Sequence, residues 1–145
     1  MIFDNQSMLS DQQAITASAP STNVIDLGKT GTAYGHAAAV KRDIGPGSAI
    51  PLRAQVTEAF TAGGAATLQV QLEVSATENF AAPKVVWQTP AIALADLKPG
   101  KVFVPEYITR GTDERYFRLN YVVASGPMTA GKITAGVTLG NQSNA

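Results

Sequence analysis

The strongest constraint on this chain is a period-two alternation of apolar and polar residues, cut into short stretches by glycine and proline. Leu68, Val70, Leu72 and Val74 fall on one side, and Gln69, Gln71 and Glu73 on the other. Successive side chains of a strand point to opposite faces, so this is the pattern of a half-buried strand with one wet face. Residues 115–124 repeat it, with Phe117, Leu119, Tyr121 and Val123 opposed to Tyr116, Arg118, Asn120 and Val122. Residues 132–139 do so again, with Ile133, Ala135, Val137 and Leu139 against Thr134, Gly136 and Thr138. Weaker strands are predicted over 23–27, 51–60, 85–89 and 101–107, with extended pieces near Ile15 and over 37–40. With 13 glycines and 8 prolines in 145 residues, few windows are long enough for a stable helix. About eight short antiparallel strands separated by turn residues describe an all-β sandwich or barrel.

Turn chemistry divides the pieces. Gly63-Gly64 reads as a hairpin loop between Phe60 and Leu68. Lys98-Pro99-Gly100 precedes one strand, and Gly126-Pro127 joins the last two long ones. Two regions do not read as strands. Residues 28–51 hold five glycines and two prolines, which predicts a long Gly-rich loop. Residues 1–22 read as an irregular N-terminal arm, in which Ser10-Asp11-Gln12-Gln13 fits a capping box and allows one helical turn.

Length and charge narrow the function. At 145 residues the chain suits one domain, spanning 1–145, able to bury roughly 70% of its unfolded surface. Eleven basic and eleven acidic residues cancel, so no electrostatic footprint for nucleic acid or an anionic membrane is expected. No run of 18 apolar residues and no secretory leader is visible, which predicts a soluble protein. The absence of cysteine rules out disulfides, thiol catalysis and thiolate zinc sites. No alternation of Asp and Asn suggests calcium, and Gly28-Lys29-Thr30 lacks the spacing of a phosphate loop. No cofactor, metal or small-molecule substrate is expected.

Individual candidates are few. His36, the only histidine, needs a nucleophile or carboxylate partner to act as a base, and reads first as a loop imidazole. Asp113 and Glu114 are adjacent, so a strand would point them apart. With Arg110, Arg115 and Arg118 nearby, they read as a structural ion-pair cluster at a strand entrance or subunit contact, with Asp113 holding its own turn. Trp87 suits a strand core, or a sugar-stacking platform if exposed. Ile2, Phe3, Met8 and Leu9 are apolar residues on a chain end, and either close the sandwich or dock on a neighbour. A carbohydrate-binding sandwich using Trp87 or tyrosines and a small carboxylate hydrolase stay open beside a purely structural role.

A wider pattern favours the structural role. Met1-Ile2-Phe3-Asp4-Asn5-Gln6, Ser10-Asp11-Gln12-Gln13-Ala14-Ile15 and Ser21-Thr22-Asn23-Val24-Ile25-Asp26-Leu27-Gly28 are followed by Arg42-Asp43-Ile44-Gly45 and Pro51-Leu52. Then come Ala93-Leu94-Ala95-Asp96-Leu97-Lys98, the run from Arg110-Gly111-Thr112-Asp113-Glu114-Arg115 to Tyr121, and Thr129-Ala130-Gly131-Lys132 to Gly136. This order resembles the capsid cement, or decoration, proteins of tailed bacteriophages, Bordetella-phage type. The resemblance implies a jelly-roll-like β-sandwich without enzymatic activity, made in the bacterial host cytoplasm and bound to the outer capsid surface of the virion. It implies the major capsid protein as partner, and self-association as homodimers or other oligomers. On that reading the capsid or subunit contacts are expected at Ile2, Phe3, Met8, Leu9, Tyr34, His36, Arg110, Asp113, Glu114 and Arg115.

Overall fold

In a computed structural model that describes residues 2–142, nine strands form two antiparallel sheets around one apolar core. They are β1 (Phe3–Ala14), β2 (Ala19–Pro20), β3 (Ile25–Asp26), β4 (Leu52–Ala62), β5 (Thr67–Ser75), β6 (Lys84–Gln88), β7 (Ile92–Ala93), β8 (Tyr116–Ala124) and β9 (Met128–Thr138). A single 3-10 turn, Leu94–Asp96, follows β7. Met1 and residues 143–145, which the expected domain bounds include, lie outside the described residues.

The first sheet has the order β1-β9-β4. The second runs β2-β8-β5-β6, with β3 also on β8 and β7 also on β5. Residues 100–108 extend the first sheet beyond β4. Phe103 N–H donates to Ala54 O at 3.0 Å, Val56 N–H to Lys101 O at 2.9 Å, and Ile108 N–H to Ile50 O at 2.9 Å. Pro105 has no N–H to give a ladder, which suits an interrupted edge strand. The chain therefore crosses repeatedly between two sheets, each four strands wide once residues 100–108 are included and the short β3 and β7 are set beside the main path, and this strand order is that of a jelly roll.

The alternation read from the sequence is the packing pattern. Leu68, Val70, Leu72 and Val74 meet Phe117, Leu119 and Tyr121 on the inner side of the second sheet, all at most 1% exposed. Leu52, Ala54, Val56, Ile133 and Ala135 face them from the first sheet. Gly63-Gly64 does not make a hairpin: β4 and β5 lie in different sheets, so this turn carries the chain across the core.

The irregular N-terminal arm is corrected by β1, a twelve-residue edge strand paired with β9 from Phe3↔Thr138 to Ala14↔Lys132. Its register shifts three times, which is why period two is not legible there. The capping-box residues do meet, but not in a helix. Ser10 Oγ donates to Gln13 Oε1 at 2.8 Å, and Gln12 sits at φ 44° in a bulge. With that proton committed, the buried Tyr121 hydroxyl donates to Ser10 Oγ at 2.8 Å, and burial pushes the Tyr121 phenol up from its ordinary pKa. Gln13 also accepts Thr22 N–H at 2.9 Å and donates to Pro20 O at 2.9 Å. A polar seam thus ties β1 to the second sheet.

Candidate functional site

The strand registers sort the connections into two ends. Phe3, Thr138, Leu52, Asp26, Tyr116, Ser75 and Lys84 mark one end of the paired strands. From it emerge residues 27–51, 76–83 and 104–115 together with both chain ends. Here this is the loop end. The opposite, closed end holds only the connections 15–18, 63–66, 94–100 and 125–127.

The long loop is built from two copies of one local motif. In Asp26-Leu27-Gly28 the Asp26 Oδ1 accepts Gly28 N–H at 2.7 Å, and in Asp43-Ile44-Gly45 the Asp43 Oδ1 accepts Gly45 N–H at 3.0 Å. These are Asx turns, in which a short carboxylate caps its own backbone two residues on. Each middle residue, Leu27 or Ile44, packs against the core. Each second carboxylate oxygen reaches elsewhere: Asp26 Oδ2 accepts from Arg115 Nη2 at 2.5 Å, and Asp43 Oδ2 accepts Gly111 N–H at 2.8 Å. The Arg115 guanidinium, which also bonds Asp26 Oδ1 through Nε, brings the Asp26 carboxyl down to a pKa of about 2. The Gly111 N–H is the main cause holding Asp43 below the usual carboxylate range.

Between these anchors the chain makes a small hairpin. Thr32 and Ala39 form an antiparallel bridge, Val40 N–H donates to Gly31 O at 2.8 Å, and His36 N–H donates to Ala33 O at 3.0 Å. Every residue from 31 to 40 is exposed, and Tyr34 projects fully into solvent. A cleft of about 680 Å³ opens beside its base, lined by Lys29, Lys41, Arg42, Asp113, Glu114 and Arg115 among others.

The structure therefore brings Tyr34, His36, Arg110, Asp113, Glu114 and Arg115 to one end, with Ile2 and Phe3 at its other rim. The expected ion-pair cluster has different partners. Asp113 pairs with Lys84 at 3.0 Å, Arg115 with Asp26, and Arg118 with Glu73 at 2.9 Å, its register partner on β5. The turn at Gly111 is held by Asp43 rather than by Asp113. For Arg118 the partner near in sequence loses to the cross-strand neighbour, because the ladder holds Glu73 within reach.

The apolar N-terminal set divides. Leu9 is fully buried among core residues, which corrects its place among the expected contacts. Phe3 and Met8 are half-buried over Gly136, where a Cβ would lie 3.0 Å from Met8 Cα and 3.5 Å from the Phe3 ring. Ile2 is 65% exposed and accepts Leu139 N–H at 3.1 Å through its carbonyl. Trp87 sits opposite Leu72 and packs against the core, a poor position for a sugar-stacking platform.

Sequence reasoning missed Val40, Val104, Tyr107 and Leu139. With Ile2, Tyr34 and Val85 they complete the exposed large hydrophobics among the described residues. All seven lie on the loop end or on strand positions next to it, and the closed end has none. Two occurrences of Asp-apolar-Gly were the available signal for the loop's anchors.

A family model named Bbp16, a name that points to a Bordetella phage protein, matches residues 9–137. No curated protein matches the chain.

Proposed function

We propose that this chain, which belongs to the phage-related Bbp16 family, is a structural protein of the virion that binds the outer surface of a tailed-phage capsid and stabilises the shell. The observation that carries the reading is the one-sided distribution of exposed apolar side chains. Ile2, Tyr34, Val40, Tyr107 and Leu139 cluster at the loop end, with Val85 and Val104 beside it. Apolar surface gathered at one end of a folded body is what a docking protein presents, with tyrosine a frequent anchor.

The resemblance to capsid cement proteins supplies the partner, the major capsid protein, and a homodimer as the bound form. A dimer that grips two neighbouring capsid subunits makes its second contact intramolecularly, so avidity exceeds either single contact by about 100-fold or more. Many such bridges oppose the outward pressure of packaged DNA. A net charge of zero suits a body facing capsid protein and solvent rather than genome. The role needs no catalysis, and the charged residues of the loop end serve to hold its shape.

The test is co-sedimentation of the purified chain with shells from a phage lacking its gene. Saturable binding at stoichiometric copy number, lost on combining Ile2→Ser, Tyr34→Ser and Leu139→Ser, is the expected result. A folded chain that stays in the supernatant over shells of its own phage would overturn the reading. Retention of binding by the triple variant would overturn the assignment of the loop end.

A further inference from the structure

We infer that Arg42 is a clasp that closes the long loop on itself and presents the hairpin around Tyr34 as a preformed unit. The geometry is specific. Arg42 Nη1 donates to Leu27 O at 2.8 Å and Nη2 donates to Gly28 O at 2.9 Å. One guanidinium thus spans two consecutive carbonyls across fourteen residues of chain. Those carbonyls belong to the first Asp-apolar-Gly motif, and Arg42 itself directly precedes the second, so the clasp joins one anchor to the other.

The second anchor is fixed to the body independently. Asp43 Oδ2 accepts Gly111 N–H, and Ile44 N–H donates to Thr112 O at 3.2 Å. Gly45 lies so close to the 109–110 backbone that a Cβ there would come within 2.3 Å of Thr109 O. The first anchor is held by Leu27 N–H donating to Arg115 O at 2.8 Å and by the Asp26 pair with Arg115. Both feet of the loop are therefore tied to the body, and the clasp adds a direct link from one foot to the other.

Only residues 29–41 lie beyond the clasp. They bury no side chain in the core, so their order depends on the bridge at Thr32 and Ala39 and on where their two feet stand. A hairpin of two short strands is marginal alone in water. Holding the two feet in one arrangement lowers the chain entropy that would otherwise oppose it. Arg suits this task better than Lys, since a planar fork reaches two acceptors at once whereas an ammonium is a compact point donor. Among the described residues the buried guanidinium Nε has no hydrogen-bond partner, so the two terminal nitrogens on Leu27 O and Gly28 O carry the hydrogen bonding of the group. Arg42 is thus a positioning residue that acts through the hairpin it orders.

Hydrogen exchange on the isolated chain tests it. The Val40 and His36 amides report the hairpin, while the Leu119 and Phe103 amides report the sheets. In Arg42→Ala the hairpin amides are expected to exchange about tenfold faster or more, the scale of losing charge-assisted bonds, with the sheet amides unchanged. Arg42→Lys keeps the charge and the stem but loses the fork, so it is expected to restore little of the protection, while unchanged sheet amides show each variant to be folded. Tyr34→Ser is expected to leave hairpin exchange as in the native chain. Hairpin amides that exchange equally fast with and without Arg42 would overturn the clasp, as would full protection by lysine.

Discussion

The two ends of this sandwich are made by different physics. At the closed end, connections of three to seven residues carry the chain from sheet to sheet, and glycine is placed where backbone must pass a side chain. Gly131, at φ 138°, lies where a Cβ would stand 2.2 Å from the Phe60 ring. At the loop end, longer segments are held by carboxylates and a guanidinium on backbone groups, and apolar side chains are left in solvent. Burial decides the first end and polar staples the second. One end is thus specified by packing, while the other is held by polar staples and leaves large apolar side chains in solvent.

The sharpest way to break this division is Leu9→Ala. Leu9 belongs to the core, so the substitution is expected to cost about 2–5 kcal/mol in chemical denaturation. A cost near zero would return Leu9 to the surface and weaken the account of β1. Next come two glycines of left-handed backbone at opposite ends. Gly131→Ala is expected to destabilise by about 1–3 kcal/mol through overpacking on Phe60, more than Gly35→Ala, which meets open space at φ 79°. Thermal melts showing equal losses would mean that the closed end yields as easily as the hairpin tip.

Acid separates the ends more gently. Asp26 has a folded pKa of about 2 against an ordinary 3.8, so its contribution is present above about pH 4 and is lost as pH falls through 2. Asp26→Asn is therefore expected to flatten the stability profile between pH 4 and 2 relative to the native chain, by a small amount because the pair is solvent-accessible. Parallel profiles would remove Asp26 from the staples. The smallest effect on folding is expected from Ile2→Ser with Leu139→Ser, within about 0.5 kcal/mol in denaturant melts. That pair would nonetheless weaken shell binding, which is the signature of a docking surface and the reverse of Leu9→Ala.

Much of the framework was legible because burial imposes period two. The period gives the right inward faces over 68–74 and 117–123 and for Ile133 and Ala135, since one face of each strand packs on the core, whereas at the end of β9 the alternation reverses, with Thr138 buried and Leu139 83% exposed. β1 was not legible: its bulges break the period, and Ser10 and Gln13 carry a helix-start signal that tertiary partners, Tyr121 and Thr22, redirect. The charged cluster's region is legible but its partners are not, since local sequence cannot show that Arg118 faces Glu73 or that Asp43 faces Gly111. Val104 and Leu139 look like core residues in sequence, and only the end of the ladder leaves them outside.

In the proposed role the loop end faces the capsid. Cryo-electron microscopy of virions carrying this chain tests it most directly, because the two ends differ in shape at modest resolution. The predicted map shows the jelly roll on the outer shell, with the hairpin of residues 31–40 and the edge around Ile2 and Leu139 against capsid protein and the closed end toward solvent. A map with the closed end or a sheet face on the shell, or with no density for this chain there, would contradict it.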